Sequence, residues 1–187
     1  MFIPDLYFCN DRSVRQNRNY TKIMEEHQLF LCLGGNLGNQ DEIFSETLSM
    51  IGDTIGECLL ISPSYESPPW GFSSRSQFRN QVVITATVLP PNEVLKKIRI
   101  IEKHFGRRRK AGQYLSRKMD IDILFYGDLV IATPELTIPH PLLAERRFVL
   151  LPLADIAPDF VHPVNGKTVS ELLEACMDHS AVSRIPE

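Results

Sequence analysis

The sequence predicts an α+β fold in which helices pack on an antiparallel sheet. Three observations carry that expectation: short apolar runs with strand-like alternation, longer segments with a helical apolar stripe, and a chain order that reads β-α-β-β-α-β. The chain has 187 residues, 43% of them hydrophobic and 23% charged, which suits one domain with its own core.

The first strand is expected over Leu29 to Leu33, stopped by Gly34-Gly35. A helix follows, with Asn39 and Glu42 at the spacing of an N-cap and its third residue, and with Phe44, Thr47, Leu48 and Ile51 on one face. Cys58 to Tyr65 reads as a second strand, and Pro68-Pro69-Trp70-Gly71 then forces an irregular loop. Phe78 to Val88 reads as a third strand with Phe78, Asn80, Val82 and Ile84 on one side. Pro90-Pro91 opens a helix striped by Val94, Ile98, Ile101 and Phe105 and stopped at Gly106. The strand through Asp120-Ile121-Asp122-Ile123-Leu124 completes an order typical of a ferredoxin-like sandwich. Ala144 to Leu153 is expected as a short helix, and Thr168-x-x-Glu171 opens a last one carrying Val169, Leu172, Leu173, Cys176 and Met177.

The four cysteines form no C-x-x-C pair, and Cys32, Cys58 and Cys176 sit in apolar patterns expected of reduced core thiols, so a cytoplasmic location is expected. No apolar run approaches the length of a membrane span. Residues 1–23 are polar after Phe8 and have no apolar period; they are expected to be a flexible, dispensable extension before a second start at Met24, with 24–187 as one domain.

Two carboxylates interrupt the last sheet strand. Alternation puts Asp120 and Asp122 on one face while Met119, Ile121 and Ile123 take the other. Like charges side by side need a cation, and surroundings without His or Cys suit Mg²⁺. Ten of the chain's twenty Lys and Arg lie between Lys96 and Lys118, opposed only by Glu102, although the whole chain carries a net charge of −3. Guanidinium groups pair with phosphate oxygens, so the basic run beside the acidic pair describes a site for a nucleotide polyphosphate. The P-loop and G-x-G-x-x-G patterns are absent, as are zinc spacings and any Ser-His or Cys-His nucleophile signature. Phe78 and Asn80 share a strand face, where a ring and an amide address one flat ligand. The alternative is a ferredoxin-like nucleic-acid-binding module without catalysis; an acidic pair on the sheet repels phosphate unless metals intervene.

Six ordered segments together resemble the 6-hydroxymethyl-7,8-dihydropterin pyrophosphokinase family. They are Gly34 to Gly38, Ser67 to Gly71, Phe78-Arg79-Asn80, Gly106 to Arg109, Arg117 to Leu124, and Ile138-Pro139-His140-Pro141 through Arg146 to Leu153. The resemblance implies transfer of pyrophosphate from ATP to the hydroxymethyl oxygen of a reduced pterin in folate synthesis, with AMP released. It implies that Asp120 and Asp122 hold two Mg²⁺ ions and that Arg107 and Arg117 join them as catalytic residues. It also implies that Phe78 and Phe148 sandwich the pterin, with Asn80, Ser67, Pro68 and Trp70 lining the same pocket. Glu102, Arg107, Arg109, Ile123, Thr137, His140 and Arg146 match ATP-contacting positions, and Tyr114 matches an aromatic that closes over the substrates. The implied partners are these small molecules, with no nucleic acid or membrane, and the chain is expected to be a monomer or weak homo-oligomer. Two departures stand out: Gly35 where the family usually has Ser, expected to remove a hydroxyl near the pterin pocket, and Leu115-Ser116 where Gly-Pro is usual, expected to alter loop closure.

Overall fold

A computed structural model of the chain describes residues 25–71, 76–107 and 116–186. The extension 1–23, Met24, the basic residues Arg108, Arg109 and Lys110, and Tyr114 and Leu115 lie outside the described residues.

The main sheet is antiparallel. Strand β1 (His27–Gly35) is central, flanked by β4 (Phe78–Thr87) and β5 (Asp120–Tyr126), while β2 (Glu57–Ile61) and β3 (Tyr65–Ser67) both pair with β4. The C-terminal strand β8 (Ser183–Arg184) extends the sheet beyond β3, and a small second ribbon joins β6 (Ile131–Ala132) to β7 (Thr137–Ile138). Two expectations change here. Gly34 and Gly35 do not stop β1 but continue it, paired with Asn80 and Arg79. The expected second strand over Cys58 to Tyr65 is two strands, because Ser62 turns its N–H to Val82 O at 2.9 Å and its hydroxyl to the Val82 N–H, breaking the register before Tyr65.

Alternation along β1 feeds two cores. Leu29, Leu31 and Leu33 meet helices α1 (Gln40–Thr54) and α2 (Pro91–His104) on one face, together with Met119, Ile121 and Ile123. Val94, Ile98 and Ile101 are the buried stripe of α2, each contributing roughly 1.5–3 kcal/mol by leaving water. The opposite face, with Phe30, Cys32, Val82 and Ile84, is covered by α3 (Arg147–Ile156) and α4 (Val169–Glu174), so the C-terminal helices close the sheet's second side.

The helix ends are anchored differently from the sequence pattern in three places. Asn39 is the N-cap of α1 but makes no side-chain cap bond. The expected helix from Ala144 becomes a 3₁₀ turn, Leu143–Glu145, and then α3, whose first residue donates its N–H to Asp178 Oδ2 at 3.1 Å. The capping box of Thr168 and Glu171 is present, but α4 stops at Glu174, leaving Cys176 buried beyond its end and Met177 exposed. Gly106, with φ of +79°, follows the end of α2 as a residue with a side chain would do only under strain.

Candidate active site

The site begins with register. Cys32 pairs with both Val82 and Asp122, and Gly34 pairs with both Asn80 and Asp120, so β1 sets the amide of β4 and the carboxylates of β5 on one floor. Gly34 adds no side chain to that floor. Met119, Ile121 and Ile123 are buried on the far side, the division that alternation predicts.

A register shift then breaks the alternation. Leu31 pairs with Ile123 while Phe30 pairs with Phe125, leaving Leu124 as the extra residue of a bulge. The Leu124 carbonyl accepts the His140 N–H at 3.0 Å, which seats the Ile138-Pro139-His140 segment, with its cis Ile138–Pro139 bond, beside Asp122. His140 Nε2 lies 3.8 Å from Asp122 Oδ2, and burial holds its imidazole below the ordinary histidine range.

Four guanidinium-to-carboxylate contacts neutralise this floor. Arg107 is bonded to both Glu102 and Asp120. Arg117 Nε is 3.0 Å from Asp120 Oδ2, and Arg146 Nη1 is 3.5 Å from Asp122 Oδ2. Asp122 is nonetheless pushed up from the ordinary carboxylate range by burial and by the neighbouring Asp120 charge. The cations beside Asp122 thus do not offset its burial and the Asp120 charge. Burial and the Asp122 carboxylate also push the Cys32 thiol up, so it is an inert wall and not a nucleophile.

Aromatic rings complete an open pocket of about 510 Å³ lined by Ser67, Pro68, Trp70, Phe78, Asn80, Arg117, Asp120, Asp122, Arg146 and Phe148, with Cys32 and Gly34 at its base. The Arg117 guanidinium lies 5.6 Å from the Phe78 ring centroid, and that of Arg146 lies 4.8 Å from Trp70 and 5.8 Å from Phe148. Flat cations thus stack where a flat heterocycle would. Asn80 Nδ2 donates to Ser67 Oγ at 2.9 Å, tying β4 to β3 at the pocket wall. Nε of Arg146 is buried without a hydrogen-bond partner among the described residues, a donor ready for an anion.

A second, more polar hollow of about 650 Å³ lies beside the first, lined by Leu95, Ile121, Asp122, Ile123, Leu136, Thr137, His140 and Pro141. Asp122 lines both. Among the described residues no group of three or more His, Cys, Asp or Glu side chains is placed to hold a metal ion. The donor set of two carboxylates still fits Mg²⁺, which takes one or two carboxylates and completes its shell with phosphate and water oxygens.

Most sequence-predicted residues converge here. Glu102 and Arg107 line neither hollow: Glu102 is 2% exposed and accepts the Ile121 N–H at 3.2 Å as well as Arg107, behind the acidic pair. Arg109 and Tyr114 lie outside the described residues. The expectation for Gly35 is corrected: a Cβ there would sit 2.2 Å from the Lys118 carbonyl oxygen, away from the aromatic pocket, and it is Gly34 that lines the pocket. Cys32, expected as a core thiol and buried as one, also stands at the pocket base, where the period-two pattern of β1 puts it on the face shared by Gly34.

The model for 7,8-dihydro-6-hydroxymethylpterin-pyrophosphokinase matches residues 30–158. A Porphyromonas gingivalis protein named 2-amino-4-hydroxy-6-hydroxymethyldihydropteridine pyrophosphokinase is 40% identical over 72% of this chain and 93% of its own length. The folic acid synthesis protein fol1 of Pneumocystis carinii is 35% identical over 94% of this chain, which spans only 24% of that protein. Among solved structures, a Plasmodium falciparum HPPK-DHPS triple mutant with SDX-DHP has a TM-score of 0.68 at 19% identity, over 83% of this chain and 45% of its own, a likeness of fold. The family match covers most of β1, strands β2 to β7, the acidic pair and both hollows, and this chain therefore belongs to the 7,8-dihydro-6-hydroxymethylpterin-pyrophosphokinase family.

Proposed function

We propose that this chain transfers the pyrophosphoryl group of ATP to the hydroxymethyl oxygen of 7,8-dihydro-6-hydroxymethylpterin, releasing AMP, as a step of folate synthesis. The observation that carries the reading is that Asp122 lines both an aromatic pocket and a neighbouring polar hollow. Two substrates seated in those hollows meet at the acidic pair.

The pterin ring enters between Phe78 and Phe148, with Trp70 and Pro68 as further walls, and displaces the stacked guanidinium groups. Asn80, steadied by Ser67, addresses the ring edge. ATP lies toward Ile123, Thr137 and His140, and its phosphates run back over Asp120 and Asp122. Mg²⁺, two ions on the family pattern, is held by Asp120 and Asp122 and supplies charge neutralisation on the phosphate oxygens when bound.

Arg107, Arg117 and Arg146, released from the carboxylates, turn to the transferred group and the leaving AMP. The Glu102 backbone carbonyl accepts the Arg107 N–H at 3.0 Å, and Arg109 and Tyr114 belong to the same catalytic segment on the family pattern. The hydroxymethyl oxygen bonds to the β-phosphorus and its proton passes to solvent water, while the bond from that phosphorus to the oxygen bridging the α-phosphate breaks and that oxygen leaves with AMP. Positioning and fixed charge supply most of the rate.

The strand order and the two crossovers support a ferredoxin-like scaffold for this chemistry. No helix among the described residues is long and apolar enough to cross a membrane, and the reading assigns the work to the cytoplasm, with residues 24–187 as the catalytic domain and residues 1–23 dispensable.

The test is direct. Incubated with ATP, Mg²⁺ and the hydroxymethyl dihydropterin, the chain is expected to form AMP and pterin diphosphate in equal amounts; no AMP above background overturns the reading. Asp122→Ala is expected to keep the fold and lose at least about a hundredfold in turnover, and near-normal rates refute the metal-holding role.

A further inference from the structure

We propose that Asn36 is a positioning residue for the transfer, acting through Arg117, with Ser116 and Gly35 completing a clamp on the Arg117 backbone. The inference rests on the pyrophosphoryl-transfer reading above. Asn36 follows β1 directly and is 9% exposed. Its N–H donates to the Arg117 carbonyl at 2.9 Å, its Oδ1 accepts the Arg117 N–H at 2.9 Å, and its Nδ2 donates to Ser116 Oγ at 3.0 Å.

Both polar groups of the Arg117 backbone are thus held by one residue. An asparagine that merely shaped its own turn would bond to neighbours two or three positions away; the side-chain partners here are 80 and 81 positions distant. One residue further on, Lys118 brings its carbonyl oxygen to where a Cβ at position 35 would be 2.2 Å away. Glycine at 35 lets the 116–118 segment lie against the end of β1, and Asn36 fastens it there.

What the clamp fixes is the root of a working side chain. Arg117 Nε is 3.0 Å from Asp120 Oδ2, and its guanidinium is 5.6 Å from the Phe78 centroid, so it stands between the acidic pair and the aromatic pocket. A long flexible side chain is aimed largely by where its Cα is held, and small misplacements are costly in transfers that depend on position. Gly35 admits the close approach of Lys118, and the Ser116 hydroxyl gives Asn36 its third bond.

The experiment measures kcat and KM for ATP and for the hydroxymethyl dihydropterin, with Mg²⁺ present, on the full chain and on Asn36→Ala, Asn36→Asp, Ser116→Ala, Arg117→Ala and Asn36→Ala/Arg117→Ala. Asn36→Ala is expected to lower kcat roughly tenfold or more while moving the pterin KM less than about threefold. Asn36→Asp keeps an acceptor for the Arg117 N–H and is expected to recover most of that loss. The double variant is expected to be no slower than Arg117→Ala alone, as it should be if Asn36 works through Arg117.

An unchanged kcat in Asn36→Ala overturns the proposal, as does a loss confined to KM or a double variant with additive losses. If Asn36→Ala fails to fold, exposed Ser116→Ala decides: a kcat within about twofold of the unaltered chain overturns it, and any larger fall supports it. An unaltered chain that makes no AMP overturns the underlying reading; an active one matched by Asn36→Ala overturns this inference alone.

Discussion

Gly35→Ala tests how tightly the 116–118 segment is seated. Gly35 continues β1 and is not among the glycines with positive φ, so its backbone conformation does not call for glycine. The added methyl does the damage. Its carbon would lie 2.2 Å from Lys118 O, 2.6 Å from Gln40 Oε1 and 3.1 Å from the Lys118 carbonyl carbon. Gln40 can swing away, but the Lys118 peptide must retreat by about 1 Å or more to reach ordinary contact. Overpacking of this kind costs about 1–3 kcal/mol. For a chain of this size that lowers Tm by roughly 2–4 °C per kcal/mol. Because Lys118 adjoins Arg117, a displacement of about 1 Å also lowers turnover by up to about a hundredfold.

Gly52 supplies the control. It lies inside α1 with nothing within 4 Å of an added Cβ, so Gly52→Ala should raise stability by about 0.5–1 kcal/mol. Thermal melts followed by circular dichroism, together with AMP formation, read both variants. A Gly35→Ala chain that melts with the unaltered protein and turns over within about twofold would refute the packing argument.

Three other outcomes are expected. Glu102→Ala removes a buried carboxylate that serves Arg107 and the Ile121 N–H; denaturant titration should register a loss of about 3–5 kcal/mol, and a loss below about 1 kcal/mol contradicts the assigned role. Thr168→Ala removes one half of the capping box on α4 and should cost about 1 kcal/mol by the same titration, with Thr168→Ser nearly neutral. Burial pushes the His162 imidazole below its ordinary range, so the unfolded chain binds the proton more readily, and stability from this group is lost as pH falls through the unfolded value of about 6.5. Acidification from neutral pH should therefore destabilise the unaltered chain more than His162→Gln; equal slopes would contradict the shift.

Much of the site was legible because strand alternation is a strict rule. The Asp120/Asp122 face, its separation from Met119, Ile121 and Ile123, and the shared side of Phe78 and Asn80 follow from period two alone. The stripe of α2 and the Thr168 capping box are local patterns, and local patterns survive into the fold. What stayed hidden depends on partners far along the chain. The bulge at Leu124 is visible only once β1 supplies the opposing register, and it alone explains why Leu124 and Phe125 both join the second core. Nothing near Asn39 says that its side chain will go unused, and nothing near Asn36 says that its partner is Arg117. The glycine pair read as a stop because glycine is scarce in strands, yet here one opens a pocket floor and the other admits a backbone.

The chain has a single tryptophan, and Trp70 stands in the wall of the aromatic pocket, with the Arg146 guanidinium 4.8 Å and the Phe148 ring 6.4 Å from its ring centre. Its fluorescence therefore reports from one spot. Displacement of the stacked cation by a ring, or movement of Arg146 toward an anion, changes the charge beside the indole while the tyrosines contribute no competing long-wavelength signal. The protein carries its own optical gauge of occupancy, allowing each substrate to be titrated separately without attaching a dye.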